Sequence, residues 1–180
     1  MKKSLITMLV ALCLVAALGV GATLAYFTST TGEVKNTFTI GNVTIGLTEY
    51  VDGAEKKTGF EYESVIPGQT YSKEPVVTVK ANSEDCYLFV KVVNDNELIT
   101  LENSNLNANG GWTALDGVAD VYYRTVDKAA ADTAFTLFDS VKISGDADEN
   151  STFTDITIQA YAIQKAGFET PAAGWAELNK

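Results

Sequence analysis

The sequence predicts an all-β fold, a two-sheet antiparallel β-sandwich of jelly-roll type, preceded by a hydrophobic signal helix. Three observations lead there. Eight or more short runs of β-branched and aromatic residues follow one another from residue 36 onward. Turn residues separate them at intervals of about 8 to 15 positions, the spacing of sandwich and barrel proteins. Almost no stretch carries a helical period. A closed barrel is the second architecture.

The first strand is expected over Asn36–Glu49, where Phe38 and Ile40, then Val43, Ile45 and Leu47, alternate with polar residues. Its phase slips by one across Gly41-Asn42, as a bulge would cause. Asp52-Gly53 marks a turn. The piece FEYESVI (60–66) also alternates and ends at Pro67-Gly68, a type II turn pair. VVTVKA (76–81) and CYLFVKVVN (86–94) read as strands, the second apolar on both faces and so expected in the middle of a packed sheet. The Asn-rich stretch from Glu97 to Asn109 reads as a loop. Asp116-Gly117, flanked by WTAL (112–115) and VADVYYRT (118–125), is the strongest hairpin signal in the chain. DKAAADTA (127–134) suggests a short helical turn. In 134–145 Leu137, Phe138 and Val141 are expected to be buried. A long final strand is expected over 151–167, with Ile156, Ile158, Ala160 and Ala162 on one face and Tyr161 and Ile163 on the other. Thr170-Pro171 then offers a cap and a first-turn proline for a closing helix.

Composition removes whole classes of function. The 180 residues contain no histidine, which excludes Ser-His-Asp and Cys-His nucleophilic sites, HExxH zinc helices and imidazole metal cages. With 13 Lys+Arg against 23 Asp+Glu, the formal charge of −10 argues against nucleic acid as a partner.

The N-terminus reads as a targeting segment. After Lys2-Lys3 no charge appears until Glu33, and residues 4–25 are apolar or small. This is the pattern of a secretory signal peptide. The same run could span a bilayer as a retained anchor. Gly19, Gly21 and the Thr23-Leu24-Ala25 ending favour cleavage between Ala25 and Tyr26. Either way the lysines stay inside and the rest of the chain lies outside. The expected division is 1–25 signal peptide, 26–35 N-terminal segment and 36–180 β-sandwich domain. Cutting after Ala25 takes the charge from −10 to −12 and leaves Cys86 as the sole cysteine. No intramolecular disulfide can form, so the core alone must hold the domain. Cys86 reads as a small buried hydrophobe at a strand start, or else as an exposed thiol linking a dimer.

Few residues offer chemistry. Asp146, Asp148 and Glu149 place oxygen ligands in one loop, as do Asn94–Glu97. A divalent cation such as calcium would want that chemistry, although neither run matches an EF-hand. Otherwise no cofactor and no catalytic residue is expected. Trp112, Tyr122, Tyr123 and Trp175 offer rings for stacking on sugars, but they suit core packing as well. The exported chain would begin Tyr26-Phe27-Thr28-Ser29-Thr30-Thr31, an aromatic-led, Thr-rich segment of extended character with no obvious partner in its own domain. Such a strand pairs with an edge of its own sheet or adds to a neighbouring molecule.

These residues carry a resemblance. Ala25-Tyr26-Phe27-Thr28-Ser29, then Asn36-Thr37-Phe38-Thr39-Ile40-Gly41-Asn42-Val43-Thr44-Ile45, resemble the start of the TasA/camelysin family of exported Gram-positive proteins. Further along, Ile66-Pro67-Gly68-Gln69, the VVTVKANSEDCYLFVKV strands, Trp112 with Tyr122-Tyr123, Thr136–Val141 and the closing ITIQAYAIQ extend the likeness over nearly the whole chain. Thr28-Ser29 depart from it, since the family often has an Asp soon after the aromatic pair. The resemblance implies a signal peptide cut by a SipW-type signal peptidase, with membrane contact only through the uncut segment. It implies a secreted jelly-roll subunit of biofilm matrix fibres, at the cell surface or in the extracellular matrix of a Gram-positive bacterium. Copies or paralogous subunits would be joined by donor-strand exchange, with Tyr26, Phe27, Thr28, Ser29, Thr30 and Thr31 as the donor strand. The camelysin name implies an alternative, a cell-surface metallopeptidase, for which zinc would have to rest on carboxylates alone or with Cys86. A monomeric surface adhesin or glycan-binding module is the third reading.

Overall fold

The computed structural model describes residues 43–56, 60–62 and 64–180. The expected signal segment, the segment 26–35 with its cleavage site and donor strand, and positions 36–42 of the first predicted strand lie outside these residues. Among the described residues the strands are β1 (Ile45–Val51), β2 (Ala54–Lys56), β3 (Thr70–Ser72), β4 (Glu74–Val79), β5 (Cys86–Val93), β6 (Ile99–Glu102), β7 (Thr113–Ala114), β8 (Val121–Val126), β9 (Thr133–Thr136), β10 (Ser140–Ile143) and β11 (Thr157–Gln164). One helix, α1 (Pro171–Leu178), follows them. Every strand pair is antiparallel, and the fold is all-β as the period-two patterning requires.

The hydrogen-bonded groups run β2-β1-β4-β9, β3-β10-β6 and β11-β5-β8-β7. The first two are one sheet. Ser72 lies opposite Ser140 and Val76 opposite Thr136, so β3-β4 and β9-β10 share a single register. Across the gap, the Lys73 N–H donates to the Asp139 carbonyl (3.2 Å) and the Leu137 N–H to the Pro75 carbonyl (2.9 Å). The resulting ribbon carries β1 beside one half and β6 beside the other.

The two sheets share a core. Ile45, Leu47, Val77 and Val79 from the first pack in one cluster with Leu88, Val90, Val92, Ile158, Ala160 and Ala162 from the second. The opposite face of β5 and β11 is also apolar. There Tyr87, Phe89 and Ile163 meet Phe168, Trp175 and Leu178 of the closing helix and its lead-in. A strand that is apolar on both faces is thereby covered on both. Helix α1 begins as its sequence dictates: Thr170 Oγ1 accepts from the Ala173 N–H (3.2 Å) and Pro171 occupies the first turn. Asp52 and Gly53, both at positive φ (51° and 75°), close the β1–β2 hairpin. Cys86 is fully buried at the start of β5, which excludes the exposed-thiol dimer. Burial, reinforced by Asp85, pushes its thiol up to about 12.

Four expectations need correction. The described parts of 60–66 form no strand: Phe60 and Ile66 are 43% and 59% exposed, and the segment lies beside β3 without joining its ladder. The stretch 97–109 is not all loop, since β6 lies within it, paired to β10 through Ile99–Glu102. Residues 127–132 form no helical turn, and the alanines lead directly into β9. The last strand begins at Thr157 rather than 151, because the preceding residues are tied to Asn96 and not to a neighbouring strand.

Gly174 sits where α1 presses on the sheet. A Cβ there would lie 2.9 Å from Ile163 Cγ2 and 3.5 Å from Tyr87 Cδ2. Gly174→Ala gains about 1 kcal/mol of helix propensity but incurs an overpacking cost of about 1–3 kcal/mol. The expected outcome is a net loss near 1 kcal/mol, read as a lower urea midpoint. An unchanged or raised midpoint contradicts this packing.

Candidate functional site: a groove between the sheets

The inner faces do not close along their whole length. The inward positions of β1 run Ile45, Leu47, Glu49 and Val51, and those of the β3-β4 ribbon run Tyr71, Lys73, Pro75, Val77 and Val79. Period two therefore places one acid and one base on the core side, where the pattern otherwise supplies apolar residues. They neutralise each other. Lys73 Nζ donates to Glu49 Oε2 at 2.6 Å, with the two side chains only 10% and 12% exposed. The other carboxylate oxygen, Glu49 Oε1, is buried without a hydrogen-bond partner.

This pair lies in the wall of a cavity of about 710 Å³. Ile99, Val141 and Ile143 line it from one sheet, and Ile156 and Ile158 from the start of the other. Phe60, Glu61, Tyr62 and Val65 form a further wall. Phe60, Tyr62 and Tyr71 stack edge to face, with centroids 4.8 Å and 5.5 Å apart. The Tyr62 hydroxyl donates to the Ser72 carbonyl, and the Tyr71 hydroxyl accepts from the Ile66 N–H (2.6 Å). Burial, and then Glu49 and Asp52, push the Tyr62 phenol up to about 12, so it remains a donor through mildly alkaline pH. On the opposite side the Asn96 amide grips the Thr154 backbone twice, donating to its carbonyl (2.9 Å) and accepting from its N–H (2.7 Å). That clamp holds Phe153, Asp155 and Ile156 against the groove.

The large hydrophobic side chains most exposed among the described residues are Phe60, Ile66 and Phe153. All three belong to this neighbourhood. Phe60 and Phe153 line the cavity, and Ile66 is bonded to Tyr71 in its wall. Exposed apolar surface gathered in one place marks an interaction site more often than scattered residues do.

Other expected site residues lie elsewhere. Asp146, Asp148 and Glu149 sit in the loop after β10. Asp148 Oδ1 accepts from Ser151 Oγ (3.0 Å) and the Asn150 N–H (3.0 Å), and these bonds hold its carboxyl below the usual range. The Asp148 carboxylate thus closes its own turn. No group of three or more acidic or thiol side chains able to share a metal ion occurs among the described residues. Trp112 is buried in the core, Tyr122 packs against it, and Tyr123 and Trp175 pack on the outer face of the second sheet. Arg124 stacks over Phe135 (3.8 Å) and Trp112 (5.4 Å), and burial lowers its pKa.

Sequence reasoning did not anticipate the Glu49–Lys73 pair. Its signal was present, since both residues fall in the buried phase of their strands. No protein-family model, curated protein or solved structure matches the chain.

Removing one member of the pair leaves the other buried and unpaired. Lys73→Met is therefore expected to destabilise the fold by about 3 kcal/mol, whereas the double change Glu49→Leu with Lys73→Met recovers most of that loss. Urea unfolding of the three chains checks it. Equal midpoints for all three would place the pair in solvent.

Proposed function

We propose that this chain is a secreted structural subunit of extracellular fibres in the matrix or at the surface of a Gram-positive bacterium, and that it is not an enzyme. In this reading the layered core is a sandwich of jelly-roll type. A SipW-type signal peptidase cuts after Ala25, and the freed strand Tyr26–Thr31 enters the groove of the next copy or of a paralogous subunit. The observation that carries the reading is the open apolar groove with its exposed aromatic rim, in a chain whose expected leading segment is itself aromatic. The likeness to the TasA/camelysin pattern supports it from the sequence side.

Magnitudes agree with a cooperative assembly. Burying Tyr26 and Phe27 contributes about 3–6 kcal/mol, and about four strand hydrogen bonds add about 2–6 kcal/mol net. Association costs about 4–15 kcal/mol, so contacts between subunit faces must assist. Those faces repel one another, because each exported subunit carries −12.

The direct test compares exported chains that start at Tyr26 and at Gly32. The first is expected to polymerise and the second to stay monomeric, by light scattering and electron microscopy. Identical behaviour of the two ends the proposal. Raising salt from low ionic strength is expected to speed polymerisation of the Tyr26 form by screening the acidic faces. A rate that falls with salt contradicts the assigned role of the charge.

A further inference from the structure

The groove is apolar in its walls but acidic in its charges. Glu49, Glu61 and Asp155 all line it, and the basic residue among the lining side chains, Lys73, is committed to Glu49. Glu49 Oε1 is covered and without a hydrogen-bond partner, so it adds negative potential to this wall without being open to contact. A purely apolar occupant would take these carboxylates further from water with nothing in return, and that is costly for an ionised group. The occupant that fits supplies aromatic or aliphatic surface together with a positive charge.

The segment proposed to enter has no such side chain. Residues 26–32 read Tyr-Phe-Thr-Ser-Thr-Thr-Gly, and the first basic residue after the cleavage point is Lys35. The positive charge that can travel with Tyr26 and Phe27 is the α-ammonium that cleavage itself creates, which is protonated near neutral pH. Before the cut, the same nitrogen is a neutral amide.

We propose that the groove recognises the free N-terminal ammonium of an incoming copy, with Tyr26 and Phe27 against its apolar walls and the new amine paired with the exposed carboxylate of Glu61 or Asp155. This rests on the donor-strand reading and adds a chemical requirement to it. Cleavage does more than release the strand, because it also generates the charge that the acceptor pairs. A chain that is mobile but blocked at its first nitrogen is a poor donor.

The test uses the exported protein, Tyr26 to Lys180, with its α-amine free or acetylated at Tyr26 alone, each at a series of concentrations read by sedimentation and electron microscopy. Acetylation is expected to raise the critical concentration by about tenfold or more, the scale of a charge-assisted hydrogen bond. A second pair carries Glu61→Gln with Asp155→Asn, two exposed positions where the fold tolerates the change. In that background the gap between free and acetylated chains is expected to shrink. Equal critical concentrations for the free and acetylated chains overturn amine recognition and leave donor-strand exchange standing. A gap that persists undiminished in the double variant overturns the assignment to these carboxylates. Failure of the free-amine chain to polymerise at all overturns both readings together.

Discussion

Two charges in the buried phase of their strands set the character of this molecule. Glu49 and Lys73 occupy positions where period-two geometry points side chains between the sheets, and they stand nearly covered at the edge of a core that closes fully over Val77 and Leu88. An ion pair tolerates partial burial only if its remaining polar atoms are served, and Glu49 Oε1 is not. The core is closed around Leu88, Phe138 and Trp112, although the Trp112 Nε1–H there also lacks a partner. Towards Ile143 and Ile158 it gives way to a cavity. Apolar walls and an unfinished polar group thus meet at one end of the layers.

The rest of the fold frames that end. The shared register of β3-β4 with β9-β10 turns two short ladders into one ribbon, which carries Tyr71 and Lys73 on one strand and Val141 and Ile143 on the other into the same wall. Side-chain bonds to backbone do the remaining positioning. Tyr62 and Tyr71 fasten one flank, and Asn96 fastens the other. These flanks lack ladder hydrogen bonds, so the wall stands on a few polar contacts. It therefore opens at lower cost than the laddered strands beside it.

Much of the fold was legible because burial and period agree in it. β5 and β11 read as two-faced strands, and their faces divide between the central core and the helix as alternation requires. Thr170-Pro171 and Asp52-Gly53 carry their local geometry in their chemistry. The misses have physical causes. Residues 60–66 alternate in sequence, yet among the described ones Phe60 and Tyr62 stack their rings towards Tyr71 of β3 and form no ladder. β6 hides in an Asn-rich stretch because the asparagines follow the strand: Asn103, Asn105 and Asn107 tie down the loop after it through side-chain bonds to Asp139, Thr136 and Ser104. The alanines after Asp127 have helix propensity without an apolar stripe to bury, so no packing rewards a helix there. The groove was the least legible feature. Its acid and base come from strands 24 residues apart, and only the sheet register brings them together.

Acidity acts on two length scales in this chain. Between separate molecules the repulsion of many surface carboxylates is long-ranged in weak electrolyte, and falls away within a Debye length of about 8 Å at physiological ionic strength. Inside a groove with apolar walls a partly buried charge contact is screened less than one between surface charges. The same composition that keeps separate molecules apart therefore leaves a short-range preference for a cationic, hydrophobic chain end intact. Ionic strength moves the first effect more than the second, and an assembly governed by both would gain tolerance of neighbours while keeping part of its selectivity for what fills the cavity.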